Sequence, residues 1–423
     1  MAARLREGRP RILMLVPHEP DADPRIGWVA DVCTAIADTV ILGATWSKEP
    51  RTQRGDAPVE RIYIPAGAGL PARGLGFIGG AVQRLTSTVD RSHRLLSVPR
   101  FSAAWLRYWM IVDALYRRAR AESVRPDLIV CHDLLGLIAG VRLKRLWEVP
   151  LLYDTHEFWP QASLLRERWE ESLLTRVERR LIGNADQVVT VSPPLAAHLE
   201  RVYGVEGVLS VPNAVPRRST PLPGRTPDGP VRFLLQGQLA AGRGIELLLD
   251  AWGDLDARAV LQLRYLPNDY ARRFERRYAT LLESGRVERL APVGEEELVE
   301  AAAAADVGVV PYTGPNLNHL YASPNKVSQY MQAGLALLVS SDMQYVGSLL
   351  ERFGCGVTYD PRRPETLSAA VEGIVRDPDE LERMKQAAVT ASETEFNWEV
   401  VSRPYSEAIT RLLGGRQPVT DGA

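Results

Sequence analysis

Short apolar runs rich in β-branched residues alternate with longer helical patterns along this chain, and they do so twice. The first series is Ile12 to Val16, Val40 to Gly43, Asp127 to Cys131, Leu151 to Asp154 and Gln187 to Ser192. The second is Arg232 to Gln236, Val260 to Leu266, Asp306 to Pro311, Leu335 to Ser340 and Gly356 to Tyr359. Alternation of this kind folds as a parallel sheet with helices on its faces. Between the two series, Pro216 to Pro230 reads PRRSTPLPGRTPDGP, which has no periodicity and too much proline for a strand or helix, so it reads as a linker. The chain has 423 residues, beyond the roughly 250–300 at which a single core stops growing. We therefore expect an α/β protein of two Rossmann-like, doubly wound parallel-sheet domains facing across a cleft. Residues 1–215 form the first, 216–230 the linker, 231–397 the second, and 398–423 a C-terminal helix and tail. The helical stretch Trp398 to Leu413 can pack on either domain.

Composition excludes several classes of function. Hydrophobic residues make up 45% and charged residues 24%, which is globular and not disordered. The net charge of -1 gives no global field for nucleic acid or a membrane. Cys33, Cys131 and Cys355 lie far apart, with neither zinc nor redox spacing, and point to a reducing compartment. No apolar run reaches the ~20 residues of a membrane span, and Arg4, Arg6 and Arg9 are not followed by a signal-peptide pattern, so a cytoplasmic protein is expected.

Ser323 to Gly334, SPNKVSQYMQAG, follows the loop YTGPNLNHLYA and reads as a short helix at the mouth of a strand. Ser323 is placed as its N-cap, Pro324 as its first residue and Gly334 just past its end. The free N–H groups at Asn325 and Lys326, with the lysine charge, favour an anion such as a phosphate. Lys326, Gln329 and Tyr330 share one face. The other lysines are Lys48, Lys144 and Lys385, in a chain that otherwise uses arginine.

Leu235 to Trp252, LQGQLAAGRGIELLLDAW, ends a strand at Gly237 and opens a helix near Gly244. Gly237, Gly242 and Gly244 permit tight turns and close approach to a ligand, and Arg243 offers a planar fork of donors for a diphosphate. It is not a Walker loop, because arginine and glycine follow Gly242.

In the first half, IVCHDLLG and LYDTHEFWP place His132, Asp133, Asp154, His156 and Glu157 at strand ends. Their spacing matches no regular metal-ligand motif, so no metal is expected and sugar hydroxyls are the preferred ligands. The plainer reading is that Asp133 and Glu157 cap the helices that follow. His93, His198 and His319 are taken as surface or packing histidines. The stretch from residue 84 to 120 interleaves Arg91, Arg94, Arg100, Arg107, Arg117 and Arg118 with Phe101, Trp105, Tyr108 and Trp109. Its aromatics are expected in the core. The alternative is a basic-aromatic helix in peripheral contact with the inner face of an anionic membrane; no nucleic-acid signature accompanies it.

Together these stretches resemble the retaining glycosyltransferases of family 4, with the GT-B fold. GQLAAGRGIELLLDAW resembles the family's phosphate loop and ADVGVVPY…SPNKVSQYMQAG its donor-nucleotide helix. HEPDADPRIGWVA, YDTHEFWP and ADQVVTVSPPLAAHLERVYG…VPNAV match its first domain. The resemblance implies an acceptor-side first domain and a donor-side second domain. It implies transfer of a hexose-type sugar from a nucleotide diphosphate to a hydroxyl acceptor, with no metal and no cofactor besides the nucleotide-sugar substrate. His156, Arg243 and Lys326 take the catalytic positions. Gly27, Gly237, Gln238, Gly242, Gly244, Ser323, Pro324, Asn325 and Gln329 take the donor-binding ones, and the loop around Asp23 to Gly27 takes the place of the glycine-bearing loop near the reacting centre. Arg25, His132, Asp133 and Glu157 are candidate acceptor or sugar contacts. The chain departs from the family twice. A pair of glutamates eight residues apart is replaced by Tyr321 and Gln329, the second glutamate being the one that accepts from both ribose hydroxyls, and an arginine is replaced by Gln238. Those departures motivate a second expectation, a non-catalytic subunit that binds a sugar nucleotide or a partner enzyme. Epimerisation of a sugar nucleotide ranks last, for want of placed carboxylates.

Overall fold

The structure is a computed structural model that describes residues 8–46, 57–64, 97–122, 124–162, 168–218, 229–314 and 316–414. Arg4, Arg6, Lys48, residues 84–96 with Arg91, His93 and Arg94, linker residues 219–228 and the tail 415–423 lie outside them. Within them the chain forms two parallel sheets. The first has seven strands, β1 (Arg11–Val16), β2 (Asp38–Thr45), β3 (Val59–Tyr63), β4 (Leu128–His132), β5 (Leu151–Thr155), β6 (Gln187–Thr190) and β7 (Leu209–Ser210), in the order β3-β2-β1-β4-β5-β6-β7. The second has six, β8 (Val231–Gln236), β9 (Ala259–Arg264), β10 (Val287–Leu290), β11 (Val307–Val310), β12 (Ala336–Ser340) and β13 (Gly356–Tyr359), in the order β10-β9-β8-β11-β12-β13. Strand order reverses between β1 and β4 and between β8 and β11, and these switch points are where open α/β sheets bind ligands.

Central strands such as β4 (LIVCH) and β5 (LLYDT) are buried at every position, because helices cover both faces of a parallel sheet and the alternation of a one-sided strand is lost. Strands β3, β7 and β10 were not foreseen. They are sheet edges whose residues, VERIY, LS and VERL, are mostly half-exposed; the first and last carry charges and the second is only two residues long, so no apolar run announces them.

The C-terminal helices Trp398–Val401 and Arg403–Gly414 return to the first domain. Trp398, Tyr405, Ala408 and Ile409 share a core with Ile12, Met14, Val16, Ile26 and Cys33. Trp398 Nε1 donates to the carbonyl of Trp28, and the two rings lie 5.6 Å apart. In the helix Ser97–Arg120, whose side chains are described from Trp105 onward, Trp105 and Tyr108 pack against the first-domain core. Tyr108 meets Trp159 edge-on, Arg107 stacks on Trp46, and Trp109 stays exposed. None of the helices among the described residues is long and apolar enough to cross a membrane.

Two glycines set the helices of the second domain close to its sheet. A Cβ on Gly308 of β11 would lie 2.2 Å from the ring of Tyr330, so only glycine lets the helix Asn325–Gln332 settle there. Tyr330 then accepts at its hydroxyl from the Gln236 N–H, 2.9 Å away. Gly244 has φ +72° and its Cβ would lie 1.9 Å from the carbonyl oxygen of Pro311.

Candidate functional site

A cavity of about 670 Å3 opens between the domains at the carboxyl ends of both sheets. Its second-domain floor is built by three residues. After β8 the chain turns at Gly237, φ +117°, and runs to Arg243, whose Nη1 donates to the Gln238 carbonyl (3.2 Å) and to the Tyr312 hydroxyl (3.4 Å). Tyr312 follows β11. The Arg243 guanidinium carbon stands 5.2 Å from the centre of its ring and the Lys326 ammonium 5.1 Å. Any side chain at 237 would begin 3.5 Å from Lys326 Nζ. Neither Arg243 nor Lys326 forms an ion pair with a carboxylate among the described residues. Burial pushes the Lys326 ammonium below its ordinary value; Tyr312 offsets this in part and Arg243 adds to it. Burial alone would raise the Tyr312 phenol, but Lys326 and Arg243 outweigh it and hold the phenol below its ordinary value. This floor presents two cations in a low-dielectric setting, where charge complementarity is strongest.

The helix bearing Lys326 begins at Asn325, with Pro324 in the cap position and no side-chain cap, which corrects the reading of Ser323 as its N-cap. Ser323 Oγ instead accepts from the Asn213 N–H (3.1 Å) and faces its carbonyl (3.4 Å), and Ser328 Oγ accepts from the Val215 N–H. The crossover segment is thus fastened to the donor-side helix. Ser323, Pro324, Asn325, Lys326 and Gln329 all line the cavity, as do Gly237, Gln238 and Arg243. Gly242 and Gly244 are absent from the lining. Gly244 brings its helix against the end of β11, so its close approach is to protein backbone and not to a ligand.

The first-domain wall holds His156 and, behind it, a buried chain of charges. His156 Nδ1 lies 2.9 Å from Asp23, and its Nε2 lies 3.1 Å from His132 Nδ1. Asp154 sits beneath both rings and takes a fork from Arg25, with Nη2 at 3.0 Å and Nε at 3.2 Å. Burial pulls the His156 imidazolium down, but the carboxylates of Asp133, Asp23 and Asp154 carry it up to about 9. Burial drives His132 the other way, to about 3, so it is neutral. An imidazolium at 156 donates from both nitrogens, which assigns the His132 proton to Nε2; that atom is buried without a partner. The ligating atoms of His132, Asp154 and His156 fall within 4.8 Å of one another, a spacing a metal can bridge. Yet Arg25 already holds both oxygens of Asp154 and the two histidines bond each other, which leaves His132 Nε2 as the atom of the set without a partner among the described residues.

Several first-domain expectations are corrected by this arrangement. Arg25 is fully buried; besides Asp154 it donates to the Val211 carbonyl and Asn213 Oδ1, and it cannot reach a sugar. His132 is equally buried and sits behind His156. Gly27 belongs to the helix Pro24–Ile36 and not to a loop; Ala22 and Pro24 line the cavity in its place. Asp133 is the first residue of its helix, at φ +54°, and its carboxylate faces His18 and the His156 N–H, not the cavity. Neither Asp133 nor Glu157 caps a helix. Glu157 does line the cavity, where it accepts from Asn318 at 3.3 Å.

Sequence reasoning missed the residues that join the two domains. Asn318 Oδ1 accepts from the Phe158 N–H at 2.7 Å, and its Nδ2 donates to the Phe158 carbonyl. Asn316 Nδ2 donates to the Gln161 carbonyl, Gln161 Oε1 accepts from the Leu317 N–H, and Ser192 Oγ donates to the Tyr321 carbonyl. His319, taken as a surface or packing residue, lines the cavity with Nδ1 2.8 Å from the Thr313 carbonyl. The density of polar residues in YTGPNLNHLYA was the available signal, whereas partners 129 to 161 positions away leave no local trace.

Two Rossmann-like domains facing across a cleft define the GT-B architecture. Residues 62–218 match the model of Glycosyltransferase Family 4. A glycogen synthase of Mycobacterium tuberculosis (strain CDC 1551 / Oshkosh) is 23% identical over 310 residues, covering 70% of this chain and 72% of that protein. Among solved structures, the sucrose-phosphate synthase from Thermosynechococcus elongatus superposes with a TM-score of 0.72 at 18% identity, covering 96% of this chain and 100% of the other. Anabaena Alr3699/HepE in complex with UDP-glucose gives 0.65 at 14% identity, covering 95% and 99%. The chain is a glycosyltransferase built on the GT-B fold, and its residues 62–218 carry the family 4 match.

Proposed function

We propose that this chain moves a glycosyl group from a nucleotide diphosphate sugar to a hydroxyl acceptor, with retention of anomeric configuration and without a metal ion. The observation that carries the proposal is the pair of cations, Arg243 and Lys326, flanking Tyr312 on the cavity floor with no carboxylate among the described residues to neutralise them. A diphosphate supplies the missing charge. The complex of Anabaena Alr3699/HepE with UDP-glucose, a protein of the same fold, supports this choice of donor.

As the glycosidic bond breaks, its electron pair stays on the diphosphate, so the leaving group gains negative charge and the two cations stabilise the transition state more than the ground state. The acceptor hydroxyl attacks from the face the diphosphate leaves, and its proton passes to a leaving phosphate oxygen. This is the usual course in the family and needs no protein base. Charge that a metal would provide elsewhere comes here from guanidinium and ammonium. His156, whose ring nitrogens are held by Asp23 and His132, offers the donor sugar a positive field; a direct bond from a sugar hydroxyl has to displace one of them.

A thermal-shift screen of UDP, GDP, ADP and TDP sugars tests the reading, since a ligand at a hundred times its dissociation constant stabilises by about 2.7 kcal/mol. The donor found is then assayed for transfer with and without EDTA, and the product anomer is read by NMR. Absence of stabilisation by every donor, or full activity in Arg243→Ala, would overturn it.

A further inference from the structure

We propose that the nucleoside subsite of this cavity reads the ribose through a hydrogen-bond donor, the side-chain amide nitrogen of Gln329, and so accepts 2′-deoxynucleotides nearly as well as ribonucleotides. The inference rests on the nucleotide-binding reading above and deepens it.

Gln329 stands one helical turn beyond Lys326 on the same face, a step of about 5–6 Å between Cβ atoms. The cavity lining also includes Leu266, Val293 and Leu298, with Glu295 among them, and the Leu298 carbonyl lies 3.4 Å from Gln236 Nε2 beside Gln329; these side chains offer a surface for the face of a base. With the diphosphate on Lys326 and Arg243 and the base on that surface, the sugar of the nucleoside falls opposite Gln329.

Three side chains fix which way the Gln329 amide points. Arg264, at the end of β9, is buried, and a guanidinium only donates. Its Nη1 donates to Gln236 Oε1 at 3.0 Å, so the oxygen of Gln236 is committed to it. Gln236 must then turn its Nε2 the other way, where it donates to Gln329 Oε1 at 3.3 Å and to the Leu298 carbonyl at 3.4 Å. That commits the oxygen of Gln329 as well. Its Nε2 is left facing the cavity, on a side chain more than nine-tenths buried, with no partner among the described residues.

A carboxylate at this place would accept hydrogen bonds from both hydroxyls of a ribose, and removing one hydroxyl would strand one of its bonds. An amide nitrogen asks only for an acceptor. The oxygen of a single hydroxyl satisfies it, and losing the other hydroxyl leaves no buried group of the protein unpaired. Strong discrimination against an analogue arises where the site is left with such an unpaired group.

The test is calorimetric titration of the full chain with three matched pairs: UDP and 2′-deoxy-UDP, GDP and 2′-deoxy-GDP, ADP and 2′-deoxy-ADP. For the base that binds, the two dissociation constants should agree within about threefold. In Gln329→Glu, whose new charge faces Gln236 and, through it, the Arg264 guanidinium, the ribonucleotide should gain a preference of at least about tenfold. A preference above tenfold in the unaltered chain, or no change of preference in Gln329→Glu, overturns the inference and leaves the nucleotide-binding reading standing. Failure of all six nucleotides to bind removes that reading and the inference with it.

Discussion

The ammonium of Lys326 lies 5.1 Å from the centre of the Tyr312 ring, and no carboxylate pairs with it among the described residues. A buried charge without an opposite charge costs stability until a ligand supplies one. Lys326→Met keeps the volume and removes the charge. In the absence of nucleotide it should therefore melt higher, by a few degrees for about 1 kcal/mol. Its nucleotide diphosphate affinity should fall roughly 10- to 100-fold, the worth of one charge-assisted bond. Calorimetry with and without nucleotide measures both. A variant that melts lower, or that binds as the parent does, contradicts the role given to this residue.

His156 is held as an imidazolium to about pH 9 by the carboxylates around it, Asp133, Asp23 and Asp154, which together outweigh its burial. Its pKa in the fold is above the unfolded value of about 6.5, so its contribution to stability is complete below that value and is lost as pH rises towards 9. Over that window the protein should lose on the order of 1–3 kcal/mol from this group. Asp23→Asn removes the carboxylate 2.9 Å from Nδ1 and should bring the imidazole titration down and flatten the decline. Ring-proton NMR for the first and melting temperature across pH 6–9.5 for the second check it. An unchanged titration would show that Asp133 and Asp154 alone hold the charge.

The sequence resolved the second-domain side of the cavity far better than the first-domain side, and the reason is physical. Arg243, Lys326, Asn325 and Gln329 lie within single loop-to-helix units, where glycine placement and helical spacing dictate what faces the cleft, and all of them line it. His132 and Asp133 were read from strand ends and Arg25 from the family resemblance, but which way these side chains turn depends on neighbours remote in sequence, 24 positions away for His132 and 129 for Arg25. Arg25 is drawn inward by Asp154, 129 residues on, and His132 is roofed by His156. Gly27 was assigned to a loop because the helix around it starts at Pro24 with Asp23 as its cap, and the aspartate was read as part of a glycine loop. The short polar edge strands escaped for want of an apolar run.

Arg25 should matter to the fold and hardly at all to donor binding. Its guanidinium forks onto Asp154 and also bonds Val211 and Asn213, so one buried side chain ties the first helix, the sheet and the crossover segment together. Arg25→Ala strands the Asp154 carboxylate in the interior, which costs about 3–5 kcal/mol. Urea unfolding followed by tryptophan emission should show the first-domain transition moved to lower denaturant. Nucleotide affinity of the folded protein should change less than about threefold, since the receptor is built wholly in the second domain. A variant of parental stability with lost transfer would restore Arg25 to the acceptor site and refute the structural role.

Asn318 connects the donor-side loop to the first domain with both ends of its amide, accepting from the Phe158 N–H and donating to the Phe158 carbonyl and to Glu157. Those bonds join the two sides of the cavity, tying its first-domain wall to the loop that precedes the Lys326 helix. Asn318→Ala removes all of them without touching Arg243 or Lys326. Each such bond is worth about 0.5–1.5 kcal/mol, so the closed arrangement loses roughly 1–4 kcal/mol against an open one. Closure is what excludes water from a reactive donor. The variant should therefore bind nucleotide diphosphate about as tightly as the parent, transfer more slowly, and hydrolyse a larger share of its donor. Small-angle scattering should report a larger radius of gyration, and a product assay that separates free sugar from glycosylated acceptor should report the shifted ratio. If scattering and the hydrolysis share both match the parent, the amide is packing only, and the interdomain geometry is held by Asn316, Gln161 and Ser192 instead.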